Sequence, residues 1–290
     1  MSERRFGFVQ WEFAGRLGPA PGRYPVRRFA GDEVRAVVVI GGLQAPRRSR
    51  LPRRGHRARA VTAPAPKPVE VTRATVIDAT PLASERDAAE AWLAQAVGER
   101  AEAVVGDALA VLNRAVAGHR VAAADPLIAD PDPGRALVTR VGYGSGEHVA
   151  EGEWEAARVL APARERRARA LVPQQRLAAL LGGRDAALAC EELALRARGD
   201  LTAGREREAA LQAHVALEAA VAELESWRGR GHMAERIDAL TARREPVAAA
   251  AAAAIQGGLE PSHVATVESA LERLEAALRA RTAGEEAGAG

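Results

Sequence analysis

The second half of the chain, from residue 162 onward, constrains the fold most, because its apolar residues repeat at the spacing of α-helices. Its clearest part runs from Arg184 to Trp227 and indicates two helices joined near residues 199–204. In the second of these helices, residues on one face recur at steps of three and four. They are Ala210, His214, Leu217, Val221 and Leu224. Such a face needs a partner surface, within the chain or between chains.

The final predicted helix begins near Pro261 and carries a short heptad pattern. Its stripe is Val264, Val267, Leu271, Leu274 and Leu278. The pattern covers only about two heptads, fewer than a sustained coiled coil needs. Our first interpretation of the chain is therefore a non-enzymatic binding or assembly protein, in which the helical half self-associates or docks a protein partner and the first half provides recognition. Residues 283–290 consist of Ala, Gly and Glu and are expected to form a disordered tail.

The first half of the chain has the pattern of a β-rich domain. Strand formers alternate over residues 6–13, and Val34 to Ile40 is a short run rich in β-branched residues. Further strands are predicted at 24–29, 69–82 and 137–143.

Two helices are also predicted in the first half. A long one spans residues 84–118, and Ser84 with Asp87 forms a capping pattern at its start. A short one is predicted near residues 151–160. The fold class is therefore α+β: a β-rich domain at 1–160, with about five strands, one long helix and the option of a small barrel, then a helical domain at 161–282.

Charge separates the two ends of the chain. Residues 1–70 hold 15 basic and 5 acidic residues, a net of +10, whereas residues 71–290 hold 26 and 33, a net of −7. Seven arginines lie between 47 and 59, inside an Arg/Pro-rich segment (45–68) that is predicted to be a flexible loop because it has no apolar face. Six of the ten aromatic residues fall in the first 29 positions.

Nucleic-acid binding is the second interpretation, because a basic loop beside exposed aromatic rings can hold a phosphate backbone and stack on bases. The candidate residues are Arg47, Arg48, Arg50, Arg53, Arg54, Arg57 and Trp11. The alternative is a solvated loop beside a small aromatic core. Of 41 basic residues 40 are arginine, and 68 residues are alanine, so GC-rich bacterial coding explains part of the arginine content.

A glycine-rich segment after the predicted strand at 137–143 is the third candidate. Backbone N–H groups of Gly142, Gly144, Ser145 and Gly146 could cradle a phosphate if this segment is a loop, which would indicate a nucleotide-binding protein or enzyme. The spacing matches neither a P-loop nor a dinucleotide fingerprint. The alternative is a turn that needs positive φ angles.

No catalytic residues, metal ligands or cofactors are predicted. Asp125, Asp130 and Asp132 each precede a proline, as in ordinary turns, and no histidine pair has the spacing of a zinc site. Cys190, the only cysteine, lies in a helical pattern that favours a packed thiol. The start of the chain lacks the apolar core of a signal peptide, and no apolar run approaches the length of a membrane span, so a cytoplasmic protein without a membrane partner is expected.

Overall fold

Six antiparallel strands form one open sheet in the first part of the chain. The structure, a computed structural model, describes residues 4–27, 31–43, 70–82, 85–145, 147–161 and 172–288. The chain divides into two compact units, residues 1–164 and 165–290. The strands are β1 (Arg5–Ala14), β2 (Gly22–Val26), β3 (Ala36–Leu43), β4 (Val71–Pro81), β5 (Val138–Ser145) and β6 (Ala156–Val159).

The strand order is β2-β3-β4-β1-β5-β6, so the first strand of the chain lies inside the sheet. The α+β class is confirmed, but the barrel is wrong: β2 and β6 are the two edges and do not pair, so the sheet stays open. The predicted helix near residues 151–160 is also wrong. A short 3-10 helix, Glu147–Glu151, is followed there by β6, the sixth strand.

Two helices cover one face of the sheet: α1 (Arg86–Val97) and α2 (Ala101–Ala123). The single long helix predicted at 84–118 is therefore wrong, because the chain breaks at residues 98–100; Ser84 lies outside the described residues. The core between these helices and the sheet contains Val9, Trp11, Val38, Tyr143, Leu93 and Leu112. On the opposite face, Phe8 and Ile77 are covered by Val149 and Ala150 of the 3-10 helix and the residues around it.

The second unit contains seven described helices. They are α3 (Val172–Leu181), α4 (Ala189–Thr202), α5 (Glu206–Glu223), α6 (Met233–Thr241), α7 (Arg244–Gln256), α8 (Pro261–Gly288) and a short 3-10 helix, Leu224–Trp227. The break predicted near 199–204 lies at residues 203–205, and α8 extends into the segment predicted as a disordered tail.

The apolar stripes predicted for α5 and α8 meet inside this unit. Leu217 and Leu224 of the first stripe, and Leu271 and Leu274 of the second, belong to one buried cluster. Alanines on α7, including Ala250 and Ala254, contribute to the same cluster and allow close approach of the helices. The heptad pattern of α8 is therefore used mainly within the chain.

Candidate functional site

An apolar groove of about 870 Å³ opens between α3, α4 and α8. Its apolar lining residues are mostly leucines: Pro173, Leu177, Leu180, Ala194, Leu195 and Leu278. Leu195 is 70% exposed, and Leu181 at the end of α3 is 81% exposed. Contiguous apolar surface of this kind marks sites of interaction in soluble proteins. We call this surface, defined by the six apolar lining residues, the leucine groove.

A buried arginine lies beside the leucine groove. Arg281 of α8 is only 3% exposed. Its Nη2 donates a hydrogen bond to Asp185 Oδ1 at 2.7 Å and to the carbonyl of Ala186 at 3.2 Å. Its guanidinium also lies 4.9 Å from the ring centroid of Trp227, a cation–π distance. These contacts fix the segment between α3 and α4 against α8.

Arg176 joins α3 to the same cluster. Its Nη2 donates to Glu191 Oε1 at 2.6 Å, and its Nε donates to Asp185 Oδ2 at 3.2 Å. Burial alone would raise the pKa of Asp185, but hydrogen bonds from Arg176 and Arg281 outweigh burial and hold that pKa below its usual range. Asp185 is therefore a stable carboxylate that links two arginines, and the cluster positions one wall of the leucine groove.

The start of α4 is capped from another helix. Glu223 accepts hydrogen bonds from the backbone N–H groups of Ala189 at 3.1 Å and Cys190 at 3.0 Å, which satisfies two free donors of the helix end. The Cys190 thiol is fully buried, and burial, with Glu223 beside it, raises its pKa to about 12. Cys190 is therefore a packed thiol and not an activated nucleophile.

A second ionic cluster lies on the neighbouring strands β4, β1 and β5 of the sheet. Glu12 Oε1 accepts hydrogen bonds from Arg140 Nη1 at 2.7 Å and Arg73 Nη2 at 3.2 Å. Burial alone would raise the pKa of Glu12, but Arg140 and Arg73 outweigh it and lower that pKa. Gln10 is fully buried beside them and donates to Thr75 Oγ1 at 2.9 Å. The cluster consists of paired groups and stabilises the sheet.

The residues predicted for nucleic-acid binding are not brought together by the described structure. Trp11 is fully buried between the sheet and the helices, so its ring cannot stack on a base in this conformation. The six arginines lie outside the described residues: Arg47, Arg48, Arg50, Arg53, Arg54 and Arg57. Their role remains a prediction.

The glycine-rich segment is not an open loop over its described part. Gly142, Gly144 and Ser145 lie in β5, and their φ angles are not positive, so both the loop and the positive-φ turn are wrong; Gly146 lies outside the described residues. A Cβ atom on Gly142 would lie 2.5 Å from the carbonyl oxygen of Ala156. Close packing explains this glycine without a phosphate ligand.

The aspartates of the Asp-Pro segment make turn contacts. Asp125 and Asp132 each accept a hydrogen bond from the backbone N–H two residues later, and Asp130 pairs with Arg120 at 3.5 Å. Across the described residues, no group of three or more His, Cys, Asp or Glu side chains is arranged to hold a metal ion. Among the helices that the structure describes, none has the length and apolar character of a membrane span.

Comparisons with known proteins add no further assignment. No protein-family model, curated protein or solved structure matches this chain. The functional interpretation therefore rests on the geometry of the chain's own residues, and the leucine groove is our candidate surface for binding another molecule.

Proposed function

We propose that this chain is a non-enzymatic assembly protein whose helical unit binds a second copy of itself through the leucine groove. The observation that carries this proposal is the exposure of Leu177 and Leu195, which both line a large groove with leucine walls. Covering this surface removes apolar area from water, which stabilises an association by roughly 25 cal/mol per Å² before its entropic costs.

A second copy is the occupant that the surface favours. A symmetric dimer uses the same patch on both chains, so the patch must offer both a ridge and a groove. Here Leu177 of α3 and Leu195 of α4 line the groove and are exposed, so they can also supply the ridge. The charged lining residues are two arginines and two glutamates, Arg176, Arg279, Glu191 and Glu275, so two copies can meet without net repulsion.

The chemistry of the described residues supports binding more than catalysis. The cysteine is buried with a raised pKa, and the charged groups beside the groove, Arg176 and Arg281, are held in ion pairs with Asp185 and Glu191. Val267, Leu271 and Leu274 of the α8 stripe are buried within the unit, and Leu278 lines the leucine groove, so association uses the groove and not a coiled coil along the whole stripe.

Sedimentation velocity and light scattering on the full chain test the proposal. We expect the wild-type chain to reach twice its monomer mass of 30.6 kDa as concentration rises. Leu195→Glu places a charge in the leucine groove and should leave a monomer. Ile255→Glu is the matched control, because Ile255 is also 70% exposed but lies on α7, outside the groove.

Two results would overturn the proposal. One is a wild-type chain that remains monomeric at every concentration. The other is equal self-association of the Leu195→Glu and Ile255→Glu variants. Both positions are exposed, so neither change is expected to unfold the unit, and circular dichroism verifies this.

A further inference from the structure

A small cleft in the sheet unit has a different character from the leucine groove. Its volume is about 190 Å³, and it lies between helix α2 and the strands beneath it, with Trp92 of α1 at its wall. Its lining includes the apolar side chains of Val9, Val76, Val104 and Val111. An apolar cavity of about 150 Å³ is large enough for a benzene ring. The cleft therefore has room for a small apolar body, about the size of a branched side chain or one ring.

The wall of the cleft is fixed by close packing of Trp92. A Cβ atom on Gly7 would lie 2.7 Å from two carbon atoms of the Trp92 ring. The indole therefore occupies the space that any larger residue at position 7 would need. Trp92 therefore forms an aromatic wall of the cleft, and its fluorescence can report ligand binding there.

Four charged side chains surround the cleft, and each side supplies one of each sign. On the sheet side, Arg35 immediately precedes β3 and Asp78 lies in β4. On the helix side, Arg100 is the N-cap residue of α2 and Asp107 lies within α2. All four residues are exposed. Within the described chain none of the four forms an ion pair; Asp78 accepts a hydrogen bond from the backbone N–H of Thr80.

The two positive and two negative side chains around the cleft determine which charge pattern in a ligand is favoured. A simple anion would be attracted by the two arginines and repelled by the two aspartates. A simple cation would be attracted by the aspartates and repelled by the arginines. A molecule with a positive and a negative group on neighbouring atoms satisfies both kinds of side chain at once. We propose that the cleft binds a small zwitterion with an apolar body, of the class of hydrophobic α-amino acids.

In the proposed complex, the carboxylate of the ligand pairs with Arg100 and Arg35, because guanidinium groups bind carboxylates with two parallel hydrogen bonds. The ammonium group pairs with Asp107 and Asp78. The apolar side chain enters the cleft and packs on the valines and on Trp92. Because the charged groups are exposed, binding weakens as salt rises.

The test uses L-leucine as the probe, titrated into the full chain at low salt and followed by calorimetry and tryptophan fluorescence. Two analogues separate the charges: 4-methylpentanoate lacks the ammonium group, and 3-methylbutylamine lacks the carboxylate. We expect saturable binding of L-leucine and at least about tenfold weaker binding of each analogue, the factor that corresponds to about 1.4 kcal/mol. Equal binding of the three molecules, or no saturable binding of L-leucine, would overturn the proposal.

Variants locate the site. Arg100→Gln and Asp107→Asn should each weaken L-leucine binding about tenfold or more. Glu102→Gln, on the same helix but not lining the cleft, is the matched control and should bind normally. Trp92→Phe should keep binding by calorimetry and lose most of the fluorescence change. Unchanged affinity in both Arg100→Gln and Asp107→Asn would also overturn the assignment. Self-association through the leucine groove involves none of these residues, so the two proposals can fail separately.

Discussion

The glycine at position 142 provides the sharpest test of how the sheet is built. A Cβ atom there would lie 2.5 Å from the Ala156 carbonyl oxygen, 2.6 Å from Phe8 Cζ and 2.8 Å from Ala157 Cβ. Ordinary contacts between carbon atoms lie at about 3.5–4 Å, so the new methyl group is about 1 Å too close on several sides. Two of these three neighbours belong to β6. Relief therefore requires β6 to move away from β5 and the Phe8 ring of β1 to shift.

The cost of Gly142→Ala follows from these contacts. Overpacking a buried site costs about 1–3 kcal/mol, and a weakened strand hydrogen bond adds about 1 kcal/mol. The smaller entropy of the unfolded alanine chain returns about 0.4–1 kcal/mol. We expect a net loss of about 1–3.5 kcal/mol of unfolding free energy. With a urea slope of about 2 kcal/mol per M, the midpoint falls by about 0.5–1.8 M.

Urea unfolding followed by tryptophan fluorescence measures this loss, because Trp11, Trp92 and Trp154 all lie in the sheet unit. Gly41→Ala is the matched control: Gly41 lies in β3 of the same sheet, and a Cβ atom there meets nothing within 4 Å. The control should be neutral or slightly more stable than the wild type. Equal midpoints for the two alanine variants would refute the packing explanation for Gly142.

Three further predictions concern ionisable groups. Arg281→Met should lower the unfolding free energy of the helical unit by about 3 kcal/mol, because Asp185 stays buried with one cation fewer; wild-type stability in a urea melt followed at 222 nm would contradict this. The pKa of Glu12 is lowered in the folded state. Its contribution to the free energy of unfolding is therefore complete above the unfolded-state pKa of about 4.3, and it is lost as the pH falls through the folded-state pKa. Glu12→Gln should therefore reduce the loss of stability on acidification, and an unchanged acid limb would argue against the pair. The Cys190 thiol, with a pKa of about 12, should react with a thiol reagent at pH 8 only after denaturant is added, and rapid labelling of the folded chain would disagree with its burial.

Much of the fold could be predicted from local pattern. The strands predicted at 34–40 and 69–82 are rich in β-branched residues. They correspond to β3 and β4, and three of the four strand ends agree within two residues. The sixth strand has the sequence Ala-Ala-Arg-Val, which carries no strand signal, and it forms because β5 offers a free edge. Whether the sheet closes into a barrel or stays open could not be predicted, because strand order depends on contacts between distant segments and not on local spacing.

The candidate sites were harder to predict, for the same physical reason. Leu177 and Leu181 are spaced like core residues, and sequence alone does not show whether such a face is covered. The pair Arg281 and Asp185 is separated by 96 residues, so nothing in the spacing connects them. Some leucines, including Leu195, lie outside the apolar stripes described for α5 and α8. Such leucines are the sequence signal that could have indicated the leucine groove.

The interior position of β1 has a consequence for synthesis of the chain. Both of its partners come later, β4 at residues 71–81 and β5 at 138–145. At roughly 5–20 residues per second, β5 leaves the ribosome about 6–25 seconds after β1. Through that interval Trp11 and Phe13 have no completed sheet to join, so their apolar side chains stay available to chaperones that bind apolar segments. The helical unit, built from neighbouring helices, faces no comparable delay.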